Sequence, residues 1–493
     1  MDLHGVKTIE YDDGSQYIQT VDVSVIGLVG TAPAAAAGAD ASLTVGTPLA
    51  YNEIKFIAQG QGAAGNSWTV EIVYDDTITT ANAIAEYTDR ADGGRHLRVR
   101  TTTPDAEAGN AAADVQASVE LLNTTATGAK LTAIATPATV SGIVYELPPT
   151  ALSGGTAEPF PLNTPVVIAG SRKKADLLGA SGTLQADVFD ILNQTGALIV
   201  VVRVEADTDA TKQQTNILNG INALATAGQV VNVTPRILIC PQFSTDDKVG
   251  KQLEVVANKL RAVTYLDNYT KTYLPDLSDR RRKYGGRVEM LRPGVFTTNG
   301  TDVRPYSATA AGLRARIDNE LGWWWSKSNQ EIYGVTEIKP VDDFIIGDAT
   351  CTANLLNQDL ISTIIRYNGY RHWGNRLCNT APQWGFECVR RSADVIEDSI
   401  AEAMMDFIDR PIDYYLGEDL INTIASYLRT LKDMGAINGG KAWLDPDLNT
   451  KESLAAGKVY INVEFAPKSP AETITVTYRI NNDYTVEQFL QAA

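Results

Sequence analysis

The chain has 493 residues, 44 % of them hydrophobic, more than one ordinary core accommodates, and it is expected to divide into about three domains. Its net charge of −17 is the wrong sign for a protein that binds nucleic acid or an anionic membrane by neutralising phosphates. Three histidines, His4, His96 and His372, leave little raw material for general-base chemistry or metal binding.

The first twenty residues carry Asp2, Lys7, Glu10, Asp12 and Asp13, so no basic segment precedes an apolar one as in a secretory leader, and synthesis in the cytoplasm is expected. Val6 to Glu10 reads as extended and is followed by the turn former Asp12-Asp13-Gly14. From Gln19, Val21, Val23 and Val25 alternate with polar residues, predicting a half-buried strand that runs into the buried Ile26 to Thr31 and ends at Pro33. Between about 36 and 158 the composition turns to Ala, Thr and Gly, with strands predicted at 54–57, 68–74 and 97–100 and a helix at 111–122. This stretch reads as a separate β-rich or α+β module.

From Phe160 apolar strands (166–169, 198–204, 236–239) alternate with amphipathic helices (185–192, 213–227, 248–265), the rhythm of an α/β domain with a largely parallel sheet. The stretch from Ser278 to Arg304 reads as loop-rich, and further elements are expected at 312–319 and 355–368. Near the end, one helix places Ile396, Ile400, Ala403 and Phe407 on one face and stops before Pro411. A second places Leu420, Ile424, Tyr427, Leu428 and Leu431 inward and stops at Gly435. Two strands follow, one with Val459, Ile461, Val463 and Phe465 on a face and one, 473–480, with Ile474, Val476, Tyr478 and Ile480. A short tail, 481–493, carries Tyr484, Val486, Phe489 and Leu490, too apolar to stay solvated without a partner.

No motif for chemistry emerges. Gly60 to Gly65 matches G-x-G-x-x-G in letters, but a strand rather than a helix is predicted after it, so a tight loop is expected. Cys240, Cys351, Cys378 and Cys388 form no C-x-x-C pair; a zinc set of Cys351, His372, Cys378 and Cys388 lacks the usual short spacings, and reduced, buried thiols are expected. No G-x-S-x-G elbow presents a serine to His372, which leaves an α/β hydrolase as a minor alternative. Catalytic residues, metal ligands and cofactors are all expected to be absent. The run Arg280 to Lys283 reads as a solvated face or an intersubunit ion-pair patch, and Trp323-Trp324-Trp325 as a packed junction.

Several segments together resemble the tail sheath proteins of contractile phages. They are His4-Gly5-Val6 with its acidic-glycine turn, Val25 to Pro33, Phe160 to Val166, Pro293-Gly294-Val295, the helix Ala311 to Asp318, Trp373-Gly374-Asn375-Arg376, and the two-helix, two-strand end. The resemblance omits about 36–158, which therefore reads as an insertion. It implies a multidomain protein of mixed α/β and α+β class, built from an α/β middle domain (159–375) of subtilisin-like fold without a protease site and a small α+β interaction domain from both chain ends (1–33 and 376–480). To these it adds an inserted peripheral module (36–158) and a C-terminal arm (481–493).

The function implied is that of a virion tail subunit that polymerises as stacked hexameric rings around the tail tube and contracts; the sheath of a phage-derived bacteriocin or other contractile injection system is the alternative. Its implied partners are further copies of the chain, the tail tube protein, and baseplate and tail terminator proteins, with no nucleic acid. The residues expected to join subunits are Val6, Thr8, Ile9, Ile474, Val476, Tyr478, Ile480, Tyr484, Val486, Phe489 and Leu490, with hinges at Asp13, Gly14, Asn481 and Asn482.

Overall fold

The computed structural model describes residues 18–491 except 48, 49, 51, 61, 79–82, 92, 104–110, 137–141, 272 and 299–301. The chain forms two compact units. One gathers the N-terminal residues up to Thr31, Pro165–Ala175 and everything from Thr183 onward; the other comprises Ala32–Thr164 with Asp176–Gly182.

The first unit is organised by an eight-stranded sheet. Its order is Tyr370–Trp373, Ile361–Arg366, Val288–Leu291, Val263–Asp267, Ile237–Ile239, Ile26–Thr31, Leu198–Val204, Pro165–Ala169. Each contact from Ile361–Arg366 to Leu198–Val204 is parallel, and the two edge strands are antiparallel. Strands covered by helices on both faces read as continuous apolar runs, and Ile26–Thr31 is buried at every position. Glycine is needed at Gly30, where a Cβ would stand 2.3 Å from the Thr183 hydroxyl.

Helix Ala210–Leu224 starts at Asp209, whose carboxylate accepts from the Thr211 and Lys212 amides, and helix Asp247–Leu260 is capped in the same way by Asp246. Their apolar stripes, Ile217, Ile221 and Leu224 on one and Val249, Leu253 and Val256 on the other, close the core over Val202, Leu238 and Leu266.

Three expectations from the sequence are corrected here. The helix read across 248–265 ends at Leu260, because Arg261 adopts left-handed backbone (φ 49°), and Val263–Asp267 is a fully buried strand. A short apolar run cannot be assigned to helix or strand by periodicity alone. The stretch from Ser278 to Arg304 is only partly loop: it also supplies the interior strand Val288–Leu291 and a second strand, Gly294–Thr297. Nor is Arg280 to Lys283 a solvated face. Arg280, 3 % exposed, donates to Asp247 and to the Asp267 and Ser244 carbonyls, and Arg281 pairs with Asp359; only the second half of the run faces solvent, Arg282 beside Asp279 and Lys283 paired with Asp247.

The second unit has a three-stranded sheet (Ser42–Val45, Glu53–Ala58, Leu131–Thr136) and a four-stranded one (Ile84–Asp89, Arg95–Thr101, Thr69–Tyr74, Leu147–Ala151). Helix Ala112–Thr125 turns Val115 and Val119 into a core with Phe56, Trp68, Leu97 and Leu131. Gly62–Ser67 is a short 3-10 turn leading into strand Thr69–Tyr74, so the glycine-rich letters form a tight loop and not a dinucleotide site.

Candidate functional site

In the first unit residues 18–25 pack on helices from the C-terminal part of the chain. Residues 18–25 make no ladder; instead they run along helix Glu387–Met404, with the Val21 amide donating to Ser399 Oγ (3.1 Å) and Arg391 donating to the Val23 carbonyl (2.9 Å). Ile18 is buried and Val21 and Val23 half-buried against Val395, Ile396, Ile424, Tyr427, Leu428 and Leu431. The period-two pattern of the valines thus reports a face packed on helices, without strand pairing. Trp323 and Trp324 join the same cluster edge to face while Trp325 turns outward, which is the packed junction expected of adjacent side chains.

Helix Tyr414–Asp433 covers a two-stranded antiparallel hairpin, Ile437–Leu444 with Ile461–Pro467, in the register Ala442 opposite Val463. No third strand joins either edge among the described residues. An isolated two-stranded sheet is marginal, and its open edges are templates for further strands. The strand predicted around Val459 to Phe465 therefore pairs upstream and not with 473–480. Asn438-Gly439-Gly440 hid its true partner, because glycines break the alternation that marks a strand.

Beyond Pro467 the chain leaves the hairpin. Residues 468–482 form neither helix nor strand, and Ile474, Val476, Tyr478 and Ile480 are 79, 61, 87 and 97 % exposed. The predicted strand is thus unpaired in the single subunit, and the arm starts earlier than 481. Asp483–Gln491 is an amphipathic helix with no buried residue, so Tyr484, Val486, Phe489 and Leu490 lie open to solvent. Asn481 and Asn482 sit at the joint between extended segment and helix, where Asn481 Oδ1 accepts from the Asp483 amide (2.9 Å). Val6, Thr8, Ile9, Asp13 and Gly14 lie outside the described residues.

This end domain is bolted to the sheet by a buried ionic network. Lys327 bridges Glu289 of the interior strand Val288–Leu291 and Glu387 of helix Glu387–Met404 (2.9 Å to the latter), Tyr265 donates to Glu387, and Arg391 and Arg314 grip Asp318. Three acids and three bases balance, so no buried charge stands alone. Burial acts to raise the Glu289 and Glu387 carboxyls, but Lys327 above all overcomes it and holds both below the ordinary range.

His372 belongs to this network. It is fully buried, its Nδ1 2.9 Å from the Tyr306 hydroxyl and its Nε2 3.2 Å from Glu289, and no serine is bonded to it among the described residues. Ser362 donates instead to Glu289. Cys351, Cys378 and Cys388 are separate buried thiols, and burial pushes Cys388 up to about 11. Among the described residues no three His, Cys, Asp or Glu side chains converge as metal ligands.

A body whose buried Lys327, Glu289 and Glu387 are spent on pairing with one another, and whose C-terminal part exposes, among the described residues, open strand edges and an unpartnered apolar arm, has the features of a contact-making structural protein. The chain belongs to the phage tail sheath protein family. Residues 210–378 match the phage tail sheath protein central domain and 379–481 the phage tail sheath C-terminal domain.

The tail sheath protein of Escherichia phage P2 is 34 % identical over 352 residues, covering 89 % of that protein and 67 % of this chain. That of Burkholderia phage BcepMu is 29 % identical and covers 98 % of this chain and 97 % of its own. The fold is also that of the anti-feeding prophage helical sheath in its contracted state (TM-score 0.51, 20 % identity, 65 % of this chain and 89 % of that one). It is shared too by the PVC sheath complex of an extracellular contractile injection system (TM-score 0.52, 17 % identity, 66 % and 89 %). The chain is a sheath protein of the virion tail and not an enzyme.

Proposed function

We propose that this chain polymerises through its two ends into stacked hexameric rings around the tail tube and contracts to drive the tube through a host envelope. The observation that carries the reading is the pairing of unmet needs within one domain. The hairpin Ile437–Leu444/Ile461–Pro467 has two open edges, and the arm offers an extended segment, Ile474 to Ile480, with no ladder of its own. Strand addition from neighbouring copies satisfies both, with Ile474, Val476, Tyr478 and Ile480 entering one edge and Val6, Thr8 and Ile9 the other. A contact between unlike surfaces that does not close on itself generates a helical tube.

Backbone hydrogen bonds of that kind survive a change of packing between subunits while Asp13, Gly14, Asn481 and Asn482 absorb the rotation, so that an extended and a contracted lattice share one set of links. The helix carrying Tyr484, Val486, Phe489 and Leu490 buries its apolar face on the receiving copy. The tube protein, baseplate and tail terminator complete the set of partners. Six mutually parallel strands under helices support the subtilisin-like description of the middle domain. The sheath of a contractile injection system is the second reading, favoured by the likeness of fold to the PVC and anti-feeding prophage sheaths.

Negative-stain microscopy tests the reading. The purified full chain is expected to form tubes or rings, and a chain lacking 473–493 to remain a folded monomer with an unchanged melting midpoint. Tubes of normal length from the truncated chain would refute the role of the arm.

A further inference from the structure

The arm does not leave the body freely. Glu472 accepts from both faces of the Arg376 fork, Oε1 from Nε at 2.8 Å and Oε2 from Nη2 at 2.5 Å. It is the last residue of the chain with a hydrogen bond or ion pair to the body among the described residues. Arg376 is itself fixed. It stacks on the Phe386 ring (4.4 Å), forms a backbone bridge with Phe386, and follows directly on the edge strand Tyr370–Trp373. Thr473 lies over the same edge, sharing a cleft with Trp373, Asn329 and Asn354. A bidentate guanidinium–carboxylate pair fixes direction as well as position, which a lysine in its place would not.

We propose that Arg376 is the seat of the C-terminal arm. The fork pins Glu472 to the rim of the large sheet and aims the segment beyond it, so that assembly depends on the pair and not on either charge alone. This rests on the arm-exchange reading for its consequence in assembly, though not for the existence of the seat. Both members are partly solvated, 29 and 39 % exposed, so the pair is firm enough to bias the arm and weak enough to open.

Two measurements test it. Trypsin sites flank the seat: Lys468 before it and Arg479 in the free segment, both exposed. In the soluble monomer, R376Q and E472Q are expected to speed cleavage after Lys468 about three- to five-fold while cleavage after Arg479 stays unchanged. Equal Lys468 rates in wild type and both variants would overturn the seat, whatever becomes of the arm in assembly.

In polymerisation followed by electron microscopy, R376E and E472R are each expected to shorten or abolish tubes, and the double variant R376E/E472R to restore them. Normal tubes from both single variants, or no recovery in the double variant when circular dichroism shows it folded, would overturn the claim that the pair aims the arm. If the chain lacking 473–493 polymerises normally, the arm-exchange reading fails while the trypsin result on the full chain still decides the seat.

Discussion

At the scale of single residues, His372 shows what the family fold does with an imidazole that a hydrolase would have exposed. It lies among Tyr306, Glu289, Lys327 and Glu387; burial is the largest influence on it, and its pKa falls below the ordinary histidine value despite the Glu289 carboxylate. The unfolded chain therefore takes up a proton as pH drops through about 6.5 that the folded chain refuses, and stability declines on acidification by up to about 1.4 kcal/mol per pH unit. Asp187 acts with opposite sign, since burial pushes its carboxyl well above the usual range and acidification favours its folded, protonated form.

The informative quantity is thus a difference between proteins. H372Q keeps a donor towards Glu289 and is expected to lose less melting temperature than wild type between pH 7 and 5.5, by calorimetry. Identical slopes would show that His372 is not the titrating group. None of this polar network was legible in the sequence. Glu289, Lys327 and Glu387 are scattered along the chain, and nothing in their spacing marks them as partners until the fold brings them together.

At the scale of elements, legibility followed amphipathicity. Helix Tyr414–Asp433 was readable because it buries one stripe that includes Leu420, Ile424 and Leu431, and helix Glu387–Met404 because beyond Ile396 its inward residues, Ser399, Ile400 and Ala403, keep to one face. Helix Ser307–Glu320 is the opposite case, buried around its whole circumference from Ser307 to Asp318, Arg314 and Arg316 included, so it shows no stripe; the sequence marked an element only at 312–319, and its helical type came from the resemblance to sheath proteins. Its fit explains Gly312, where a Cβ would lie 2.6 Å from the Ile191 carbonyl oxygen of the neighbouring helix Leu184–Leu192.

G312A is accordingly expected to destabilise by about 1–3 kcal/mol through overpacking. In G439A the new Cβ meets nothing within 4 Å, and the change is expected to stay within about 0.5 kcal/mol. Thermal melts of the two variants compare them directly, and equal midpoints would refute the packing account. The arm is the remaining misreading of kind. Ile474, Val476, Tyr478 and Ile480 alternate with polar residues as in a strand, but the segment pairs with nothing among the described residues; on the proposed reading its partner is a neighbouring copy.

At the scale of the whole molecule, the second unit asks whether a sheath needs it. It carries its own core, centred on Phe56, Trp68, Leu97 and Leu131, and its entering and leaving chains run side by side: the Thr156 amide donates to the Ala39 carbonyl (2.8 Å) and the Ala39 amide to Thr156 Oγ1 (2.9 Å). A domain whose ends meet in this way can be removed without stretching what remains. The match to the phage P2 sheath covers 89 % of that protein while leaving about a third of this chain unmatched, whereas the BcepMu sheath matches nearly all of it.

We therefore expect that replacing 36–158 by a short glycine–serine link gives a folded subunit that still forms tubes, with the melting transition of the first unit unchanged. If the shortened subunit folds, as judged by circular dichroism, yet forms no tubes under the microscope, the module is part of the assembling lattice and its description as a dispensable insertion is wrong. Tubes of unchanged length would locate the machinery of assembly in the first unit, whose hairpin edges, Arg376 seat and arm then suffice to link one copy to the next.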